Sequence, residues 1–248
     1  MQSPTKNKIA LVTGASRGIG AATALLFAQN GFDVAINFLK NRELAEEVAK
    51  KSKSFGVNAV AIQGDISKEK EIVRIFAEID EKLGAVSVLV NNGGVSGGRK
   101  SIEEIDFKYL EEVYSAGVFS AFICSREAVK RMKKIGGGAI VNVSSLSAKN
   151  GGFQMSAYSS SKAALTNLTI GLARELAESN IRVNAVAPGV IDTDTHLGIS
   201  NERLTHLKNS IPLKRMGSAN EVAESIFWLI SEKSSYVTGS ILEISGGK

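Results

Sequence analysis

The stretch TGASRGIG, residues 13–20, stands between the apolar run IALV at 9–12 and a periodic segment running from Ile19 to Gln29. Glycines at 14, 18 and 20 let a chain turn sharply from strand to helix, and they bring backbone N–H groups close to a pyrophosphate at the helix N-terminus. The spacing Gly-x-x-x-Gly-x-Gly departs from the usual dinucleotide fingerprint, and no Gly-Lys-Ser/Thr follows, so an ATP-type phosphate loop is disfavoured. The loop predicts a dinucleotide site in which Gly14, Ser16, Arg17, Gly18, Ile19 and Gly20 take part. A glycine turn with no ligand is the plainer alternative.

Outward from this loop the chain alternates apolar strands and helix-period segments. DVAINF (33–38) precedes NRELAEEVAKKSKSFG (41–56), and NAVAIQGD (58–65) precedes EKEIVRIFAEIDEKLG (69–84). VSVLVNNGG (86–94) leads to one long helix, EEVYSAGVFSAFICSREAVKRMKK (111–134), and GAIVNVSS (138–145) leads to SKAALTNLTIGLARELAE (161–178). RVNAVAPG (182–189) and SILEIS (240–245) complete the series. Strands apolar on both faces and alternating with helices predict an α/β fold: a Rossmann-like three-layer sandwich with a doubly wound parallel sheet. No repeat or linker divides residues 1–248, which are expected to form a single domain, and the irregular stretch 191–215 is expected to form a substrate lid.

Composition narrows the function classes. The chain has 248 residues, 44% of them hydrophobic, enough for a sizeable core. No run reaches the length of a membrane span, and MQSPTKNK has no signal-like apolar region, so neither a membrane nor a secretory role is expected. The single cysteine, Cys124, excludes an intrachain disulfide and fits the cytoplasm; its apolar helical context predicts an inert core thiol. Two histidines and one cysteine offer little for zinc, and no metal site is expected. The net charge of +5 is spread along the chain without an aromatic-interleaved basic patch, so no nucleic-acid partner is expected.

The end of the second strand bears on cofactor choice. An NAD-binding chain is expected to offer a carboxylate to the ribose 2'-OH there, whereas AINFLKN presents Asn37 and Phe38, then Lys40. With Arg17 in the glycine loop, this pattern predicts NADP (NADPH), the two cations meeting its 2'-phosphate. Asp65 in GDIS, followed by Ile66, is placed to meet the adenine, and Asn92 and Gly93 of NNGG lie at the same edge of the sheet.

The stretch YSSSK, Tyr158 to Lys162, puts a phenol and an ammonium four residues apart on one helical face. A phenol is a poor acid or base at neutral pH, but nearby positive charge favours its ionised form. Ser145, thirteen residues before Tyr158 at a strand end, is placed to meet it across a cleft, although Ser144 competes for that assignment. Tyr158 would pass its proton to a carbonyl oxygen during hydride delivery, Ser145 would donate a second hydrogen bond to that oxygen, and Lys162 would hold the nicotinamide ribose.

TGASRGIG, GDIS, NNGG, VNVSS, YSSSK, AVAPG and YVTGSILEISGG together resemble the short-chain dehydrogenase/reductase family from Lys8 to the C-terminus. Through IPLKRMGSANEVAESIFWL and YVTG the chain is most similar to the 3-oxoacyl-acyl-carrier-protein reductases of fatty-acid biosynthesis. The resemblance implies a parallel sheet of seven strands, with Tyr158 as general acid/base, Ser145 orienting the carbonyl and Lys162 lowering the tyrosine pKa. It also implies that Pro188, Gly189 and Ile191 lie beside the nicotinamide with Thr193 near its carboxamide, and that the enzyme is a homotetramer. Its partner would be an acyl-carrier-bound or small-molecule substrate. Another ketone/alcohol pair, such as a steroid, sugar or small ketone, and a non-catalytic NADP-binding protein are the alternatives.

Three departures from the family pattern stand out. Gly93 replaces the alanine of NNAG. Tyr114 occupies the position of an asparagine that in the family holds a helix bulge and a relay water, and a hydroxyl cannot replace an amide's donor and acceptor together. Arginines often seen at the entrance of acyl-carrier reductases are missing, which leaves Lys133, Arg131 or Arg174 to meet a carrier arm. Phe153, Met155, Leu197, Ile199 and Leu204 are candidates for an apolar substrate wall, and His196 and His206 read as surface residues.

Overall fold

The structure, a computed structural model, describes residues 8–95, 97–193 and 201–248. Its centre is the expected parallel sheet. The strands are β1 (Ile9–Val12), β2 (Asp33–Phe38), β3 (Ala59–Gln63), β4 (Val88–Asn91), β5 (Gly138–Val143), β6 (Ile181–Pro188) and, after two short strands, β9 (Ile241–Ile244). They lie in the order β3-β2-β1-β4-β5-β6-β9, all parallel. The strand order reverses between β1 and β4. That switch point opens a crevice at the carboxyl ends of the strands, where α/β sheets take their ligands.

The period-2 reading of the strands explains the layers. Ala10, Val12, Val34, Ile36, Val88, Val90 and Val141 face one way, onto α1 (Gly18–Gln29), α2 (Arg42–Lys53) and α9 (Ala219–Ile230). Leu11, Ala35, Ile62, Leu89, Ile140 and Val183 face the other way, onto α3 (Glu69–Lys82), α5 (Ser120–Met132) and α7 (Ser156–Leu176). Each strand is therefore apolar on both sides, as a sheet covered by helices on two faces requires. Cys124 lies in the second layer, and burial pushes its thiol up to about 12, with Glu127 adding to the effect. It is an inert core residue.

The long helix expected over 111–134 is interrupted. α4 (Phe107–Tyr114) begins at Asp106, whose side chain accepts from the Tyr109 N–H at 2.7 Å, and it passes through a π-turn (Ser115–Phe119) into α5. The π-turn shifts the N–H of Ser120 onto the Ser115 carbonyl, and the Ser120 hydroxyl donates to the Ala116 carbonyl at 2.7 Å. The helix therefore bulges without the family's asparagine at position 114. Such one-turn bulges gather at functional sites.

In the expected lid, β7 (Ile191–Asp192) pairs with β8 (Gly217–Ser218), and α8 (Asn201–Asn209) lies between them in sequence. Its return is tied down: Ile211 is buried and the Leu213 N–H donates to the Gly246 carbonyl at 3.1 Å. His196, Leu197, Ile199 and the side chain of Leu204 lie outside the described residues. His206 is exposed on α8.

Candidate active site

The glycine loop joins β1 to the first turn of α1. Gly14 and Gly18 have φ of +61° and +57°, which only glycine adopts without strain. A Cβ on Gly14 would meet the Gly93 Cα at 2.9 Å, and one on Gly20 would meet the Gly14 carbonyl and the Asn92 amide at 2.6 Å. The loop is thus packed backbone to backbone against the segment after β4. Thr13 joins the two: its hydroxyl accepts from the N–H groups of Asn92 and Gly93 at 3.0 and 2.9 Å and donates to Val90. The Asn92 amide donates to the carbonyls of Thr13 and Gly14.

These bonds revise the expected cofactor contacts. The Asn92 side chain is committed to the loop itself. Asn37 is buried; its amide donates to the Ile62 and Gly64 carbonyls, and its oxygen accepts from the Gly14 N–H at 3.4 Å. Phe38 is fully buried in the core. Both side chains are thus engaged within the protein, Asn37 beneath the glycine loop and Phe38 in the core. The absence of a carboxylate at the strand end stands. At the open end of β2, a cleft of about 430 Å³ is lined by Lys40, Asn41, Arg42, Glu43 and Leu44. Arg42, the first residue of α2, was not singled out in the sequence; its guanidinium lies 5.6 Å from the Phe38 ring centroid and donates to Gln63. The signal for it was a cation opening the helix after β2.

Asp65 accepts from the N–H and hydroxyl of Ser67 at 3.0 and 2.7 Å and stands 3.7 Å from the Lys68 ammonium. Burial pushes its carboxyl up, but these bonds outweigh that and hold it below its usual value. Ile66 reaches over Gly93, where an added Cβ would collide with its Cδ1, so the small residue at 93 and the reach of Ile66 belong together. Pro188 accepts from the Leu146 N–H, Gly189 packs on Ser245, Ile191 is buried, and Thr193 lies 3.6 Å from where a Cβ on Gly18 would sit.

Across the crevice, α7 starts at Ser156 and carries both Tyr158 and Lys162. The structure separates the two adjacent serines. Ser144 is buried, donates to the Lys162 carbonyl at 3.0 Å and lies 2.9 Å from the Thr166 hydroxyl. Ser145 stands near enough to Tyr158 to draw the phenol pKa down in part. The Ser145 oxygen also accepts from the N–H and the hydroxyl of Ser147 at 3.2 and 2.9 Å. Ser147 opens the short helix α6 (Ser147–Asn150) and was not anticipated.

Lys162 is buried, and its ammonium donates to the Val143 carbonyl at 2.7 Å and lies 5.7 Å from the Tyr158 ring centroid. Burial draws it down from 10.5 to about 8. For Tyr158, burial pushes the phenol above its usual value and Ser145 offsets only part of this. The ammonium and the Ala116 carbonyl face the same small space above Gly94, 3.8 and 3.9 Å from where a Cβ there would sit. Tyr114 stays out of that space, and its hydroxyl donates to Ser160 at 2.9 Å.

The residues present fit a nicotinamide dinucleotide. A Cβ would fill the glycine cradle, helix α1 begins there, and the buried Lys162 ammonium, with three donors, has one acceptor among the described residues. The family model described as "Enoyl-(Acyl carrier protein) reductase" matches residues 14–248. The chain is 46% identical to an uncharacterized oxidoreductase, YgfF, of Escherichia coli, over 97% of this chain and 99% of the relative. It is 36% identical to the 3-oxoacyl-[acyl-carrier-protein] reductase FabG of Staphylococcus epidermidis, over 97% and 98% of the two chains. Among solved structures it is similar to a 7α-hydroxysteroid dehydrogenase complexed with NADH and 7-oxo glycochenodeoxycholic acid, with a TM-score of 0.91 and 36% identity over 97% of this chain and 93% of that one. It is also similar to acetoin dehydrogenase YohF of Salmonella typhimurium, with a TM-score of 0.87 and 39% identity over 97% of each chain.

Proposed function

The chain belongs to the short-chain dehydrogenase/reductase family of oxidoreductases acting on CH–OH and C=O groups, and from that premise we propose that it reduces a 3-oxoacyl thioester to the 3-hydroxyacyl thioester with NADPH. The observation that carries the chemistry is that α7 sets Tyr158 one helical turn from the buried Lys162 ammonium, which is held by the Val143 carbonyl at 2.7 Å; burial favours the protonated phenol. That is the loaded state a general acid needs.

The bound nicotinamide supplies the hydride. Tyr158 gives its proton to the carbonyl oxygen as negative charge develops there, and Ser145 donates a second hydrogen bond to the same oxygen. Lys162 stabilises the phenolate left behind, and its remaining donors suit the ribose hydroxyls. Arg17, Lys40 and Arg42 supply positive charge for the 2'-phosphate, and the end of β2 itself carries no carboxylate. The acyl substrate is supported by the 3-oxoacyl-acyl-carrier-protein reductases among the relatives and by the apolar Phe153 beside Met155 ahead of Tyr158. A homotetramer belongs to this reading: Phe119, Phe122, Trp228 and Tyr236 leave large rings exposed on two faces.

A reductase of another ketone is the second reading, and one observation favours it. Arg131, a candidate for meeting a carrier arm, is taken by Asp80 at 2.6 Å and by Glu127, which leaves exposed Lys133, Lys134 and Arg174 for that role. The test follows NADPH and NADH consumption with acetoacetyl thioester, on coenzyme A and on acyl carrier protein, alongside steroid and small ketones. Turnover of the thioester with NADPH is expected, with Tyr158→Phe lowering kcat by about 10²–10⁴-fold and Arg17→Ala lowering the NADPH preference by about tenfold. Turnover confined to simple ketones would replace the acyl reading by the second one.

A further inference from the structure

The hydroxyl of Ser145 has one proton and two acceptor lone pairs. In this structure one residue supplies both donors to those lone pairs: the Ser147 N–H at 3.2 Å and the Ser147 hydroxyl at 2.9 Å. With both acceptor positions filled from the α6 side, the Ser145 proton has only the cleft left to point into. We propose that Ser147 is a positioning residue that sets the polarity of Ser145, fixing it as a donor toward Tyr158 and the substrate carbonyl.

The consequence reaches Tyr158 through hydrogen-bond direction. A hydroxyl that donates to the phenol oxygen favours the phenolate, and one that accepts from the phenol favours the neutral form. The polarity imposed by Ser147 permits the first and blocks the second. It also strengthens the outgoing bond, since a hydroxyl that accepts is a better donor. Removing the Ser147 hydroxyl frees one lone pair on Ser145, which can then accept from Tyr158 and turn its own proton away from the carbonyl. Ser144 cannot take over, because its hydroxyl is already engaged with the Lys162 carbonyl and Thr166. A different requirement at residue 147, the start of α6, is met by bonds from the N–H groups of Ser147, Ala148 and Lys149 to Ser145 and Leu146 and does not involve the Ser147 hydroxyl.

The rate effect rests on the reading of Tyr158 as general acid, but the titration of Tyr158 does not, and the experiment uses both. Tyr158 ionisation is followed by ultraviolet difference titration of the full chain without substrate, with Tyr158→Phe identifying its signal, for Ser147→Ala, Ser147→Thr, Ser145→Ala and the double Ser145→Ala/Ser147→Ala variant. Ser147→Ala is expected to raise the Tyr158 pKa by about half a unit to one unit. Ser147→Thr keeps the hydroxyl and is expected to leave the pKa near wild type. In the Ser145→Ala background the loss of Ser147 is expected to have no further effect, since the coupling runs through Ser145 alone. Where a ketone is turned over, Ser147→Ala is expected to lower kcat by about 3–10-fold with KM little changed. The proposal is overturned if Ser147→Ala leaves the Tyr158 titration unmoved, or if it shifts the titration equally with and without Ser145. If the titration shifts as expected while no carbonyl compound is reduced, the proposal stands and the substrate reading fails.

Discussion

Replacing Gly20 by alanine tests whether the glycine loop is held by close backbone packing or by sequence habit. An added Cβ would lie 2.6 Å from the Gly14 carbonyl and the Asn92 amide and 2.9 Å from the Ala15 Cα. Two of these neighbours are backbone, so relief cannot come from a rotamer change alone. The Asn92 side chain would have to leave, breaking its bonds to the Thr13 and Gly14 carbonyls. Overpacking costs about 1–3 kcal/mol and the two bonds about 1–2 kcal/mol together, a total of about 2–5 kcal/mol. For a chain of this length that lowers Tm by about 5–20 °C. Gly171→Ala is the control, because that glycine is exposed within α7 and an added Cβ there meets nothing within 4 Å. Helix propensity alone should then raise stability by about 0.5–1 kcal/mol. Thermal unfolding of the two variants, with cofactor titration of each, is the assay. The same substitution should move stability in opposite directions and weaken cofactor binding only at position 20. A Gly20→Ala protein that melts with the wild type, or a Gly171→Ala protein that falls as far, would refute the packing argument.

Three further outcomes follow from the site. The native pKa of Lys162 is about 8 against 10.5, so the unfolded chain binds more protons between those values and stability rises with pH across that window. Lys162→Met, inactive in turnover, should therefore exceed wild type in stability at pH 7 by about 2–3 kcal/mol, with the gap closing by pH 10, as read by denaturant unfolding at each pH. Tyr114→Phe removes only a bond to exposed Ser160, so stability should change by less than about 1 kcal/mol and turnover by less than about threefold; a larger loss in turnover would place residue 114 in the proton path after all. With Tyr158 kept protonated at neutral pH and Lys162 charged below about 8, ketone reduction should weaken and alcohol oxidation strengthen as pH rises above that value, in paired initial-rate profiles.

The sheet was readable because its signals are local. Val88, Leu89 and Val90 are apolar in succession since each face of a doubly covered strand needs a side chain, and the turn after β1 needs glycine whatever lies elsewhere. The helix from 111 to 134 was read as continuous because a π-turn changes the hydrogen-bond ladder without disturbing composition; Ser115 and Gly117 look like any helical small residues until the ladder slips. The start of α4 carried a local signal in Asp106, whose carboxylate caps it, yet it lay five residues before Glu111, where the helix was placed.

The site divides along the same line. Tyr158 and Lys162 are four residues apart, so helical geometry alone puts them on one face. Which serine lies beside the phenol depended on the strand's exit: β5 ends at Val143, Ser144 then turns onto α7 and bonds the Lys162 carbonyl, and Ser145 stands near Tyr158. Asn37 looked like a ligand for the adenosine ribose because it ends β2 without a carboxylate, but three partners contributed by residues 14, 62 and 64 hold it inward. Arg131 looked free for a carrier arm because Asp80, fifty-one residues away, is invisible to local reading. Even the pKa of Tyr158 turned on burial, a property of the whole packed crevice, and not on the neighbouring lysine that the spacing advertised. The cation that was expected to ionise the phenol is itself drawn down by burial to about 8, so it keeps its charge at neutral pH and loses it above that value. A short motif thus names the reacting groups, while their charge state is written in contacts that only the fold assembles.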